Sequence, residues 1–277
     1  MFAHEFMRNA YLAGTFVALA CGLIGYFVVL RGQVFAGDAL SHVAFTGALA
    51  AAAAGIDIRL GLFAATILVA LGMGGLGSRA QPDDVVIGSV FAWVLGLGVL
   101  FLSLFVNGSS GSDGTAAVRV LFGSILGLSA ADARLAAVIA IAAALALLAI
   151  ARPLLFSSLD PEVARGLGMP VRALGLGFFA ILAVVAAEAT QAVGALLLLG
   201  LLAAPGGAAR LLTDNPWRGL AISAAIAVGS TWLGLFLSYE IDSLPAGTAV
   251  IGVATAAFAA AALARSNLGQ VRRIGAR

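Results

Sequence analysis

Runs of about twenty apolar residues recur along the whole chain, separated by short polar breaks, and they leave few folds open to it. A run of that length matches the hydrocarbon thickness of a bilayer, where backbone polar groups have to be satisfied within the segment itself. Each run therefore predicts a membrane-spanning helix. Nine can be read, roughly at 11–30, 35–54, 60–77, 85–106, 133–150, 174–187, 193–212, 220–237 and 249–263. The number drops to eight if the second run only dips into the membrane, and nine places the two termini on opposite sides. The alternating strands of a membrane barrel are missing. The expected fold class is all-α, a polytopic transmembrane helical bundle of about 8–9 spans, with residues 1–277 forming one transmembrane domain.

Composition agrees, since 62% of the 277 residues are hydrophobic and only 10% are charged. Every one of the 15 basic residues is arginine, and the net charge of +2 lends no support to nucleic-acid binding. A lone cysteine, Cys21, lies in the first run and cannot form an internal disulfide. Glu5 and Arg8 precede a run long enough to stay in the membrane, so no removable signal peptide is expected. No GxxxxGK[ST] motif occurs, and the chain is not expected to be an enzyme. If ATP drives it, hydrolysis belongs to another chain.

Between the fifth and sixth runs lies a charged island, RPLLFSSLDPEVARGLGMPVR, from Arg152 to Arg172. Asp160 is placed to cap a short helix, Pro161 suits its first position, Gly166 can end it, and Pro170 delays the next helix. Leu159, Val163 and Leu167 fall on one face of it. Three arginines in one loop put it on the cytoplasmic side, and alternation then leaves only Arg8, Arg59, Arg119 and Arg134 outside. Such order in a loop fits a docking surface, although a plain connection reads similarly. The stretch NGSSGSDGTAA at 107–117 is expected to be a flexible linker, and 118–129 a re-entrant or surface piece bent at Gly123. Glycines in GMGGLG and LGLG are expected to let helices approach closely.

Asp38 and His42, in FAGDALSHVAFTG, are four residues apart and share a helix face. A carboxylate and an imidazole inside a membrane run are costly unless they face a cavity, a partner or an ion, and together they suit Zn(II), Mn(II) or Fe(II). The alternative is that Asp38 caps the second helix, with His42 bonded to it or to Ser41. Glu188 and Gln191 sit near the outer end of a span and are expected to face water. Glu240 and Asp242 fall in an outer loop where they can dock a partner or simply be solvated. Pro205-Gly206-Gly207 is expected to kink or end its helix.

Four stretches together, LRGQVFAGDALSHVAFTG at 30–47, LLFSSLDPEVARGLGMPVRAL at 154–174, VGALLLLGLLAAPGGAARLL at 193–212 and SYEIDSLPAGTAVI at 238–251, give a chain that resembles the ABC-3 family. Its members are permease subunits of bacterial ABC importers for zinc, manganese and iron, with a type II importer-like bundle in the plasma membrane. The resemblance implies a second permease copy, a cytoplasmic P-loop ATPase dimer, an extracytoplasmic metal-binding protein and no resident cofactor besides the transported divalent ion. It makes 156–168 the coupling helix, with Ser158, Leu159, Asp160, Pro161, Glu162, Ala164, Arg165 and Gly166 as the ATPase-facing residues, and Asp38 and His42 as the metal residues. The chain departs from the family pattern at Gly206-Gly207. Two other readings are weighed: an iron-siderophore or vitamin-type ABC permease, and a proton-coupled carrier using Asp38, His42 and Glu188.

Overall fold

The computed structural model of the chain describes residues 4–76, 84–108, 123, 125–195, 198–241 and 243–274. Among them are ten α-helices, one 3₁₀ turn and no strand. In chain order they are α1 (Glu5–Leu30), α2 (Val34–Ala53), α3 (Ile58–Leu76), α4 (Asp84–Gly108), the 3₁₀ turn Ile125–Gly127, α5 (Ala130–Leu159), α6 (Pro161–Gly166), α7 (Val171–Val193), α8 (Leu198–Leu212), α9 (Pro216–Glu240) and α10 (Ala246–Ile274). The linker at 107–117 lies almost wholly outside the described residues, as do Arg79, Arg119 and the acidic break at 80–83.

Eight of these helices are long and apolar enough to cross a bilayer. The second run, expected as the one that might only dip in, is a full helix of 20 residues. The short one is α8, with 15 residues, about 22 Å at 1.5 Å per residue and less than the ~30 Å hydrocarbon layer. The break before it is marked by two glycines. α7 stops at Gly194, which has φ +98, and Gly123 packs so tightly on the backbone of Val193 and Gly194 that no side chain would fit there. The 3₁₀ turn beside it reaches inward, with Ile125 buried against Gly14 while Leu128 accepts a hydrogen bond from Asn9 nearer the start of α1. The described part of the expected re-entrant piece therefore does enter the bundle.

α1 is the central helix, packed by α5, α7, α8 and α9, with Ala10, Ala13, Ile24 and Phe27 fully buried. In lipid no hydrophobic force draws helices together, and small residues that allow close van der Waals contact take over that role. Backbone meets backbone where Gly25 faces Leu202 and Gly206, and where Gly47 faces Gly61. Pro205-Gly206-Gly207 does not end its helix as expected, since α8 runs on to Leu212 and Gly206 is the point at which α8 rests on α1. Of the expected GMGGLG contacts, Gly74 packs on Leu176 and Phe179, whereas among the described residues nothing would meet a side chain at Gly72 or Gly75.

The contacts order the helix ends onto two faces. Arg31, after α1, bonds to Ser158 near the end of α5, so the α1–α2 turn shares a face with α6. Arg59, at the start of α3, reaches both Asp132 at the start of α5 and Gln191 near the end of α7 on the opposite face. His4 packs against Tyr239 on that same opposite face. The two ends of the described chain thus lie on opposite faces, as nine passages require. Arg152, Arg165, Arg172, Arg210, Arg218 and Arg265 belong to the α6 face, and Arg8, Arg59 and Arg134 to the other.

Candidate functional site

α2 and α4 run side by side in the same direction, each starting at the α6 face. Their register is fixed by two contacts. The ring of His42 meets Phe91 edge-on at 5.1 Å, and Thr46 donates its hydroxyl hydrogen to the Val94 carbonyl at 3.2 Å. Asp38, His42 and Thr46 recur every four residues and so share one stripe of α2, along this seam.

Asp38 does not cap α2, as one alternative had it. The helix begins four residues earlier, after Gln33, and no side chain caps it. Ser41 donates to the backbone carbonyl of Asp38 at 2.7 Å, not to His42. Asp38 instead lines a cleft of about 240 Å³ together with Phe35, Asp84, Ile87, Gly88 and Phe91. His42 Nδ1 is buried with no hydrogen-bond partner among the described residues. A buried polar atom without a partner costs free energy, so an imidazole nitrogen left this way is available as a ligand. Among the described residues no three His, Cys, Asp or Glu side chains converge on one point, and the pair remains two-pronged.

The short helix α6 follows its expected cap closely. Asp160 Oδ1 accepts the Val163 N–H at 3.0 Å and Pro161 opens the helix. Gly166 is the last helical residue, but the left-handed residue that closes the turn is Gly168, with φ +77. Its N–H bonds to Arg165, and that of Met169 to Ala164. Ala164 is fully buried and fastens α6 down, whereas Leu159, Val163 and Leu167 are 64%, 49% and 69% exposed. Glu162 and Arg165 form an exposed pair at 3.8 Å. The helix therefore shows an apolar face with a charged rim at the end of the bundle.

Arg31 connects this region to α2. Its Nη1 donates to Ser158 Oγ at 3.1 Å, its Nε to Gln33 at 3.2 Å, and its guanidinium lies 5.0 Å from the centre of the Phe178 ring. Burial pulls its pKa down to about 10, which still leaves it charged at neutral pH. Sequence reading counted Arg31 only toward sidedness. Its neighbour in the chain, the buried amide of Gln33, was a further signal.

Glu188 departs from expectation. It is 2% exposed, and its Oε2 has no hydrogen-bond partner among the described residues. It borders an apolar gap between Val17, Ala20, Ala140 and Val185 with no room for water. Nearby, Arg59 ties α3 to Asp132 of α5 at 3.3 Å and to Gln191 of α7 at 3.2 Å, joining three helices at the face opposite α6. Glu240 ends α9 on that face and is exposed, and Asp242 lies outside the described residues.

A helical bundle of this form, with a polar seam between two spans and an ordered exposed helix at one end, defines a membrane permease. Residues 3–265 match the ABC 3 transport family, and the chain belongs to that family. It is a multi-pass bacterial inner-membrane protein and a permease subunit of an ABC transporter. The manganese transport system membrane protein MntC of Halalkalibacterium halodurans is 30% identical, covering 94% of this chain and 88% of that one. A probable iron transport system membrane protein of Haemophilus influenzae is 31% identical, covering 95% of each. Among solved structures, PsaBC from Streptococcus pneumoniae in complex with Fab aligns with a TM-score of 0.81 and 26% identity, over 93% of this chain and 91% of that one.

Proposed function

We propose that this chain is the membrane-spanning subunit of an importer for divalent transition-metal ions, zinc, manganese or iron, and that Asp38 and His42 are the footholds of the ion in transit. The observation that carries it is the Asp38-lined cleft on the α2/α4 seam, with the unpartnered Nδ1 of His42 one turn further along the same stripe. The relatives named for manganese and iron transport support this cargo class over a siderophore or vitamin. A bare divalent ion in hydrocarbon costs tens of kcal/mol, so the path has to be polar and the ligands few enough to release the ion.

The whole chain acts as one transmembrane unit paired with a second permease copy. The α6 face is cytoplasmic, and α6 seats in a P-loop ATPase dimer through Ser158, Leu159, Asp160, Pro161, Glu162, Ala164, Arg165 and Gly166. An extracytoplasmic metal-binding protein delivers the ion to the opposite face, where Glu240 and Asp242 contribute to docking. The chain holds no resident cofactor, meets lipid on its flanks and binds no nucleic acid.

Uptake of radioactive zinc, manganese and iron by the complex with its ATPase tests the site. Asp38→Ala and His42→Ala are each expected to lower flux by about tenfold or more, the scale on which losing a metal contact acts. Unchanged flux in both variants would remove the assignment.

A further inference from the structure

We propose that Arg31 is a positioning residue for transport: it fastens the start of α2, which carries Asp38, to the last turn of α5 beside α6, so that the two move as one piece. This rests on the permease reading above.

Arg31 has partners on three sides. Its Nη1 donates to Ser158 Oγ at 3.1 Å, its Nε donates to Gln33 Oε1 at 3.2 Å, and its guanidinium lies against the fully buried ring of Phe178 on α7. A guanidinium presents its donors in a rigid planar fork, so bonds made through Nη1 and Nε fix Ser158 and Gln33 relative to each other. Each of these is tied to its own helix in turn. Ser158 donates to the Leu154 carbonyl one turn back in α5, and it stands two residues before Asp160, which caps α6. Gln33 is 4% exposed, its N–H donates to the Val28 carbonyl of α1, and its own carbonyl accepts from Ala36 and Gly37 in the first turn of α2. No side chain caps α2, so Gln33 and the arginine bonded to it hold that turn. Asp38 lies four residues beyond Val34, the first helical residue, about 6 Å along the axis at 1.5 Å per residue.

The far end of the connection is a weakened helix. Pro153 sits inside α5, and a proline there has no N–H to give the carbonyl four residues back, so the helix lacks a bond at that level and bends there most easily. Ser158 lies beyond the proline, in the last turn before α6. A push on α6 therefore tilts the end of α5 about Pro153, and Arg31 carries the tilt across to α2 and Asp38. With the arginine gone, the end of α5 moves alone.

The simpler role for a part-buried arginine with these partners is to hold the fold together. Both roles predict a less stable Arg31→Ala; only the positioning role predicts ATP hydrolysed without metal moved. The full chain is reconstituted with its ATPase and binding protein, and manganese flux, ATP hydrolysis, the amount of bound ATPase and the melting temperature are read. For Arg31→Ala the expected result is manganese moved per ATP lower by about tenfold, the scale of one hydrogen bond to a charged group, with hydrolysis and bound ATPase near wild type. Arg31→Lys keeps the charge but not the fork and is expected to recover only part of the ratio. Ser158→Ala removes a single hydroxyl, serves where Arg31→Ala does not fold, and is also expected to lower the ratio, while the double variant is expected to be no worse than Arg31→Ala alone. A wild-type ratio in Arg31→Ala or Ser158→Ala overturns the proposal, as do losses that multiply in the double variant, or flux that falls only in step with bound ATPase and melting temperature. Asp38→Ala and His42→Ala run in parallel. If both transport normally, the metal-site reading fails; if both lose flux while Arg31→Ala keeps its ratio, only the role of Arg31 fails.

Discussion

In the proposed role His42 would bind a metal only while its ring is neutral, because protonation removes the lone pair that binds. Uptake should therefore weaken as the pH falls through the titration of that ring, and the residual uptake of His42→Ala should lack that limb. Flux measured across a pH series in both proteins checks this. The pair was legible because residues four apart share a helix face whatever surrounds them. Asp84 was not, because in sequence it reads as the end of a loop marker, PDD, and only the parallel packing of α2 and α4 brings it into the cleft. Glu188 was misread for a related reason: its nearness to a span end suggested water, but Val17 and Ala20 of α1 and Ala140 of α5 close over it. Gly25 allows a further residue-level test, because a Cβ there would overlap the Leu202 backbone. Gly25→Ala should cost about 1–3 kcal/mol, the usual range for overpacking, and appear as a lower melting temperature of the detergent-solubilised protein.

Among the elements, α6 was the most readable, since cap, proline and closing glycines all act over a few residues. Asp160→Ala removes the cap and should cost about 1 kcal/mol locally, loosening α6 without unfolding the bundle. The expected outcome is less metal moved per ATP hydrolysed, measured as the ratio of the two rates. Arg31→Ala should act in the same direction, because it cuts the bonds between the end of α5 and the α1–α2 turn. α8 was the least readable. Its composition reads as that of a span, and the packing of Gly123 on Val193 and Gly194 at the break before it is a contact across some seventy residues of chain. For the same reason Pro205 gave a false stop: its missing N–H is tolerated in a helix that rests tightly on α1.

At the scale of the whole molecule, hydrophobic run lengths gave the fold class and the arginine distribution its two faces, while the neighbours of each helix came from packing alone. α4 keeps a broad apolar face, with Val85, Trp93 and Val99 all more than 60% exposed, which suits contact with lipid. With no motor sequence of its own, the chain reconstituted by itself should move no metal under an imposed proton gradient; uptake that follows the gradient would favour the proton-coupled carrier. The position of Arg31 has a mechanical consequence. On the proposed function, Asp38 near the start of α2 and the exposed helix α6 belong to the same end of the bundle, so releasing cargo inward would need only a short lever arm. Any rearrangement at the opposite end, where Arg59 joins three helices, would then have to be driven through the full length of the spans.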